Sequence, residues 1–147
     1  ASARRAHSFV RVMALDVGDR RIGVALSDPT QTLSSPLSTI DCDHDKDPVR
    51  SIISLADEYG TVKIIVGLPI TLAGKLGTQA RSVLQFIKQL KAETNIDIST
   101  VDERYSTIEA RRKLRESSTT RGHRERGDVD AAAAAVMLQS YLDAVTR

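Results

Sequence analysis

The order of hydrophobic patterns limits the folds open to this chain more than any other feature. Three short apolar runs come first, and only afterwards do helical and strand-like patterns alternate. Residues 9–15 are β-branched in part and run into Asp16-Val17-Gly18-Asp19, which carries turn chemistry. Residues 21–27 alternate small and apolar side chains until Asp28-Pro29, and residues 33–40 make a weaker run around Pro36. A parallel pair needs a crossover of about a dozen residues or more, and these links are too short for one. The three strands are therefore expected to form an antiparallel meander.

From Asp47 the period changes. Asp47 can cap a helix, Pro48 suits its first position, and Val49, Ile52, Ile53 and Ala56 share a face before Gly60. Residues 62–66 read as a mostly buried strand ending in Gly67-Leu68-Pro69. Ala80, Val83, Leu84, Ile87 and Leu90 mark a second helix after Gly77-Thr78, and residues 96–101 form a further strand that stops at Asp102-Glu103-Arg104. Ser106-Thr107-Ile108-Glu109 is a capping box that opens a third helix to about Leu114. Residues 117–127 lack an apolar period and are expected to be a mobile loop, with a last helix from near Asp128 to about Asp143. The expected order is β-β-β-α-β-α-β-α-α. It gives an α/β fold whose mixed sheet, an antiparallel meander followed by parallel strands, is flanked by helices. At 147 residues this is read as a single domain over residues 9–145, with 1–8 a flexible N-terminal segment.

Composition narrows the function classes. Two Phe, three Tyr and no Trp argue against stacked aromatic platforms for nucleic acid, so any such binding must be electrostatic. The net charge of +2 excludes a global basic field but allows local ones. No apolar run approaches the 18 or so residues of a membrane helix, so no membrane role is expected. Cys42 is the lone cysteine, and no apolar stretch follows the basic start as in a secretory leader; a cytoplasmic protein is expected.

The topology sets the ends of the first, fourth and fifth strands along one edge of the sheet, where open α/β sheets place their ligands. Asp16 ends the first strand, Asp102 and Glu103 end the fifth, and Asp130 is expected in the first turn of the last helix. Three carboxylates can converge there. Like charges about 4 Å apart repel by roughly 4 kcal/mol at an effective dielectric near 20, unless protons or cations neutralise them. Hard oxygen donors without a His or Cys cluster suit Mg²⁺ or Mn²⁺ and not Zn²⁺. Two such ions can activate water and stabilise the leaving oxygen in phosphodiester hydrolysis. Five alanines, 131–135, follow Asp130 and let the helix approach the sheet closely.

Between residues 111 and 126, Arg111, Arg112, Lys113, Arg115, Arg121, Arg124 and Arg126 face Glu116 and Glu125, a balance of +5. Such a segment can hold a phosphate backbone over the acids, by charge and shape more than by base reading. Asp41, Asp43, Asp45 and Asp47 alternate as in a calcium loop, but Lys46 and Ile52 stand where such a loop needs Gly and Glu. Cys42 and His44 have no further partners at metal spacing.

Four segments in order resemble the YqgF/RuvX family of Holliday junction resolvase-type proteins, with an RNase H-like fold. They are residues 16–25, residues 65–69, Asp102-Glu103-Arg104 with Ser106-Thr107 and Glu109-Ala110-Arg111, and Val129-Asp130 before the alanines. The resemblance implies a metal-dependent nuclease in which Asp16, Glu103 and Asp130 are catalytic acids and ligands of Mg²⁺ or Mn²⁺. It further implies processing of the 5′ end of small-subunit ribosomal RNA precursor. Arg21, Arg104, Arg111, Arg112, Arg121, Arg124 and Arg126 are the expected nucleic-acid contacts. Thr71 stands where the family often has Asn, and Tyr105 where it has an aliphatic residue. The partners expected are structured RNA or branched DNA, with the ribosome in reach, and either a monomer or a homodimer can serve. Three other readings stay open at this point: a Holliday junction resolvase of DNA recombination or repair, a phosphotransferase of the actin and sugar-kinase type, which normally needs a second lobe, and a non-catalytic RNA-binding module of ribosome assembly.

Overall fold

The computed structural model of the chain describes residues 10–69, 77–102 and 123–145, with side chains of the last stretch from residue 129 onward. The expectations for Thr71, for the capping-box helix and for the basic residues up to 122 fall outside the described residues.

β1 (Arg11–Val17), β2 (Arg21–Ser27) and β3 (Ser34–Asp41) form the meander. The first turn is closed by the Gly18 N–H, which donates to the Arg21 carbonyl at 2.9 Å. Asp16 therefore lies within the strand, next to its last residue, close to the expected strand end: Asp16 pairs with Gly23 and Val17 with Ile22. Asp19 and Gly18 alone supply enough turn chemistry, and strand pairing takes in the two residues before them.

α1 (Pro48–Glu58) starts as its sequence dictates, with Asp47 Oδ1 accepting from the Arg50 N–H at 3.2 Å and Pro48 in the first turn. It ends before Gly60, whose φ of 63° is the left-handed conformation that favours glycine after a helix. β4 (Thr61–Leu68), α2 (Thr78–Glu93) and β5 (Asp97–Asp102) follow. The strand order is β3-β2-β1-β4-β5, with β4 parallel to both β1 and β5. The carboxyl ends of β1, β4 and β5 are thus neighbours, as the crossover argument requires.

Strand alternation divides the core in two. Met13, Leu15, Ile22, Val24, Ile64 and Val66 pack with Val49 and Ile52 of α1 and Val83, Ile87 and Leu90 of α2. Val12, Ala14, Ala25 and Ile65 point the other way, against Ala134, Ala135, Met137, Leu138 and Leu142 of α3 (His123–Val145). Among the described residues, no helix is long and apolar enough to cross a membrane.

α3 begins five residues before the expected start, so residues 123–127 are helical and not part of a loop. The segment His-Arg-Glu-Arg-Gly has no apolar stripe to reveal a helix by period. Asp130 is consequently the eighth residue of the helix and lies beyond its first turn.

Candidate functional site

Alternation along β1 determines where Asp16 points. Val12 and Ala14 face α3, and Asp16, two further on, continues that row at the carboxyl end of the strand. It is only 5% exposed, one of few buried polar residues among those described. A carboxylate taken from water in this way is costly unless a cation or hydrogen-bond donors meet it.

Gly23, across from Asp16, brings the second acid in. A Cβ added to Gly23 would stand 2.0 Å from the Asp130 carbonyl oxygen, 2.4 Å from its carbonyl carbon and 2.9 Å from the Ala131 nitrogen. The backbone of α3 thus rests directly on β2, and Asp130 is seated over the strand partner of Asp16. Only a residue without a side chain permits this approach. Ala131, Ala133, Ala134 and Ala135 are all buried, so the alanine run does keep the helix close.

The other end of this helix–sheet packing is fixed by hydrogen bonds. The Ser34 hydroxyl donates to the Ala135 carbonyl at 2.6 Å, and the Ser34 N–H donates to Gln139 Oε1 at 3.0 Å. Gln139 Nε2 in turn donates to the Thr32 carbonyl at 2.9 Å. α3 therefore runs antiparallel to β1, from Asp130 at the carboxyl end of β1 to Gln139 at the opposite end of the sheet.

Arg21, also on the α3 side of β2, donates from Nε to Asp130 Oδ2 at 2.6 Å. Their side chains are 32% and 14% exposed, so the pair is partly withdrawn from solvent and less screened than a surface ion pair. Arg21, expected from sequence as a contact for nucleic acid, is here the partner of a candidate metal ligand.

The backbone of Asp130 thus lies at the end of the sheet where Asp16 stands, over the strand partner of Asp16. The third expected acid, Glu103, lies outside the described residues, as do Arg104, Arg111, Arg112 and Arg121; Arg124 and Arg126 fall in the first turns of α3. Asp102 is the last residue of β5 and registers with Leu68, which belongs to the core against α1 and α2. That places it on the face opposite Asp16. Among the described residues, no group of three His, Cys, Asp or Glu stands close enough to hold a metal.

Asp16 and Asp130 nevertheless have the chemistry a hard dication needs: carboxylate oxygens, burial, and a cation already drawn to one of them. Elsewhere, Cys42 is half-buried, and burial, with Asp41, Asp45 and Asp43 nearby, pushes its thiol pKa up and away from a reactive thiolate. His44 Nδ1 is engaged by Asp41 at 2.8 Å, so the two do not act as a ligand pair.

Gly23 was visible in the sequence only as a small residue in a strand pattern. The signal that could have singled it out is pairing: a glycine in a central strand marks close backbone approach, and the alanine run is the one segment slim enough to supply it.

Comparison with known proteins agrees with this architecture. A protein of Roseiflexus sp. strain RS-1, named "Putative pre-16S rRNA nuclease", is 44% identical over 133 residues, spanning 90% of this chain and 94% of its own. One of the same name from Desulforamulus reducens is 40% identical over 134 residues, spanning 91% and 97%. Among solved structures, T. thermophilus RuvC in complex with a Holliday junction substrate superposes with a TM-score of 0.57 at 10% identity, covering 93% of this chain and 96% of that one. This likeness shows the RNase H-like fold. With residues 10–144 matching the family described as "RuvX: Holliday junction resolvase", the chain belongs to the RuvX family, as its four sequence segments implied.

Proposed function

We propose that this chain is a nuclease dependent on Mg²⁺ or Mn²⁺ that hydrolyses phosphodiester bonds of structured RNA, acting in the cytoplasm on the 5′ end of small-subunit ribosomal RNA precursor. The observation that carries the reading is the seating of Asp130 over Gly23, the strand partner of the buried Asp16. The family match and relatives named for pre-16S rRNA support both nuclease chemistry and the RNA substrate.

In this reading Asp16, Asp130 and Glu103, which directly follows the last residue of β5, would hold the dication. When bound, the ion supplies Lewis-acid stabilisation of the phosphoryl oxygens and an activated water. The chain's own contribution is placement. Sheet pairing fixes Asp16, and backbone packing against Gly23 fixes Asp130, which preorganises both. Arg104, Arg111, Arg112, Arg121, Arg124 and Arg126 contribute phosphate contacts that position the strand and carry no base information. Trimming one RNA end needs one site, so a monomer suffices.

The test compares a labelled precursor RNA with a four-way DNA junction, each with Mg²⁺, with Mn²⁺ and with chelator. Cleavage of the RNA that depends on the metal is the expected result. Cleavage of the junction alone would make the chain a resolvase, and cleavage of neither would leave an RNA-binding module. Separately, replacing Arg121, Arg124 and Arg126 by Gln is expected to weaken RNA binding and flatten its salt dependence by about 0.7–0.9 log units of slope for each phosphate no longer engaged. An unchanged slope from filter binding across salt concentrations would remove these residues from the interface.

A further inference from the structure

The ion pair between Arg21 and Asp130 has more in it than a brace for the helix. Both partners are placed by backbone: Arg21 is the first residue of β2, two before Gly23, and Asp130 is held by the packing of its own carbonyl on Gly23. The bond is single-pronged, from Nε to Oδ2, and not the forked pairing that makes arginine and carboxylate hardest to part. The arginine is also the more exposed partner, with its side chain 32% open against 14% for Asp130, so it is the side of the pair less enclosed by the protein.

We propose that Arg21 is a resident counter-ion of Asp130 that a divalent cation displaces, so that loading the site releases a guanidinium for a phosphate of the nucleic acid. The proposal rests on the metal-dependent reading above and adds an order to it. Without the dication, Arg21 offsets the charge of a carboxylate kept from water; with it, the same residue would be a like charge beside the ion. The freed side chain then has forked donors for a phosphate oxygen, next to the bond to be cut.

The proposal makes the sign of one effect diagnostic. A purely structural arginine would orient Asp130, and its loss would weaken metal binding. A competing cation does the reverse. Calorimetric titration of Mn²⁺ into the full chain is expected to show about tenfold tighter binding for Arg21→Gln than for wild type, the effect of removing one partly screened neighbouring charge. Arg21→Lys, which keeps the charge, should stay within about twofold of wild type. Without metal Arg21→Gln should melt below wild type, and saturating Mn²⁺ should close the gap.

A second measurement needs no destabilising variant. The Nε–H resonance of Arg21 in wild-type protein, assigned by its loss in Arg21→Lys, should shift during a Mg²⁺ titration with the midpoint of metal binding. Equal or weaker Mn²⁺ binding by Arg21→Gln, or a stationary Nε–H signal at saturating Mg²⁺ when the protein does bind the ion, would overturn the proposal. Failure of wild type and both variants to bind Mn²⁺ at all would instead remove the metal reading, and the exchange with it.

Discussion

Replacing Gly23 by Ala is expected to destabilise the protein by about 3 kcal/mol and to lower its melting temperature by roughly 6–12 °C. The new methyl would be 2.0 Å from one backbone atom of α3 and under 3 Å from two more, none of which can turn aside as a flexible side chain would. The helix must lift off β2. Its alanine face then separates from Ala14 and Ala25, and Asp130 moves with it. For that reason activity should fall further than stability explains: well below the melting point, a displacement of about 1 Å at a reacting centre can cost on the order of a hundredfold. Thermal melts and RNA cleavage at a fixed low temperature separate the two effects. A variant that melts like wild type would show that α3 is not seated on the strand.

Asp16→Asn is expected to abolish most cleavage, by about 10²–10³-fold, while RNA affinity stays within about threefold. The substitution keeps the shape and removes one charge from the metal's donor set, which forfeits several kcal/mol of transition-state stabilisation at 1.36 kcal/mol per decade. Affinity is preserved because the phosphate contacts are assigned to arginines on other segments. The variant should also lose most of the stabilisation that Mn²⁺ confers on wild type, since a ligand stabilises only the state that binds it. Undiminished cleavage by Asp16→Asn would take this residue out of the chemistry.

Much of this architecture could be read from patterning because the folded state enforces it. Turns too short for a crossover leave antiparallel pairing as the sole option for the first three strands, and the helices after Asp47 and Gly77 carry an unbroken apolar face. The place of Asp16 was legible for the same reason: topology alone aligns the ends of β1, β4 and β5. The start of α3 was not. Residues 123–127 are helical without an apolar stripe, so periodicity cannot see them, and Asp130 appeared closer to the helix terminus than it is.

Two interactions were hidden for a different reason. Gly23 matters because of what lies across from it, more than a hundred residues away, and the role of a glycine is invisible until its neighbour is known. Arg21 was expected as a nucleic-acid contact, and nothing in its local sequence disclosed a carboxylate partner. Its ion pair depends on Asp130 arriving over β2, a tertiary event that local sequence does not encode. These hidden interactions are also the ones that place the site.

The claim that Asp16 and Asp130 share a dication is tested most directly by anomalous diffraction from a crystal soaked in manganese. The expected result is a manganese peak about 2.1 Å from a carboxylate oxygen of each, with the Arg21 guanidinium moved off Asp130. A crystal of active protein in which manganese binds elsewhere, with the Arg21 to Asp130 pair intact, would contradict it.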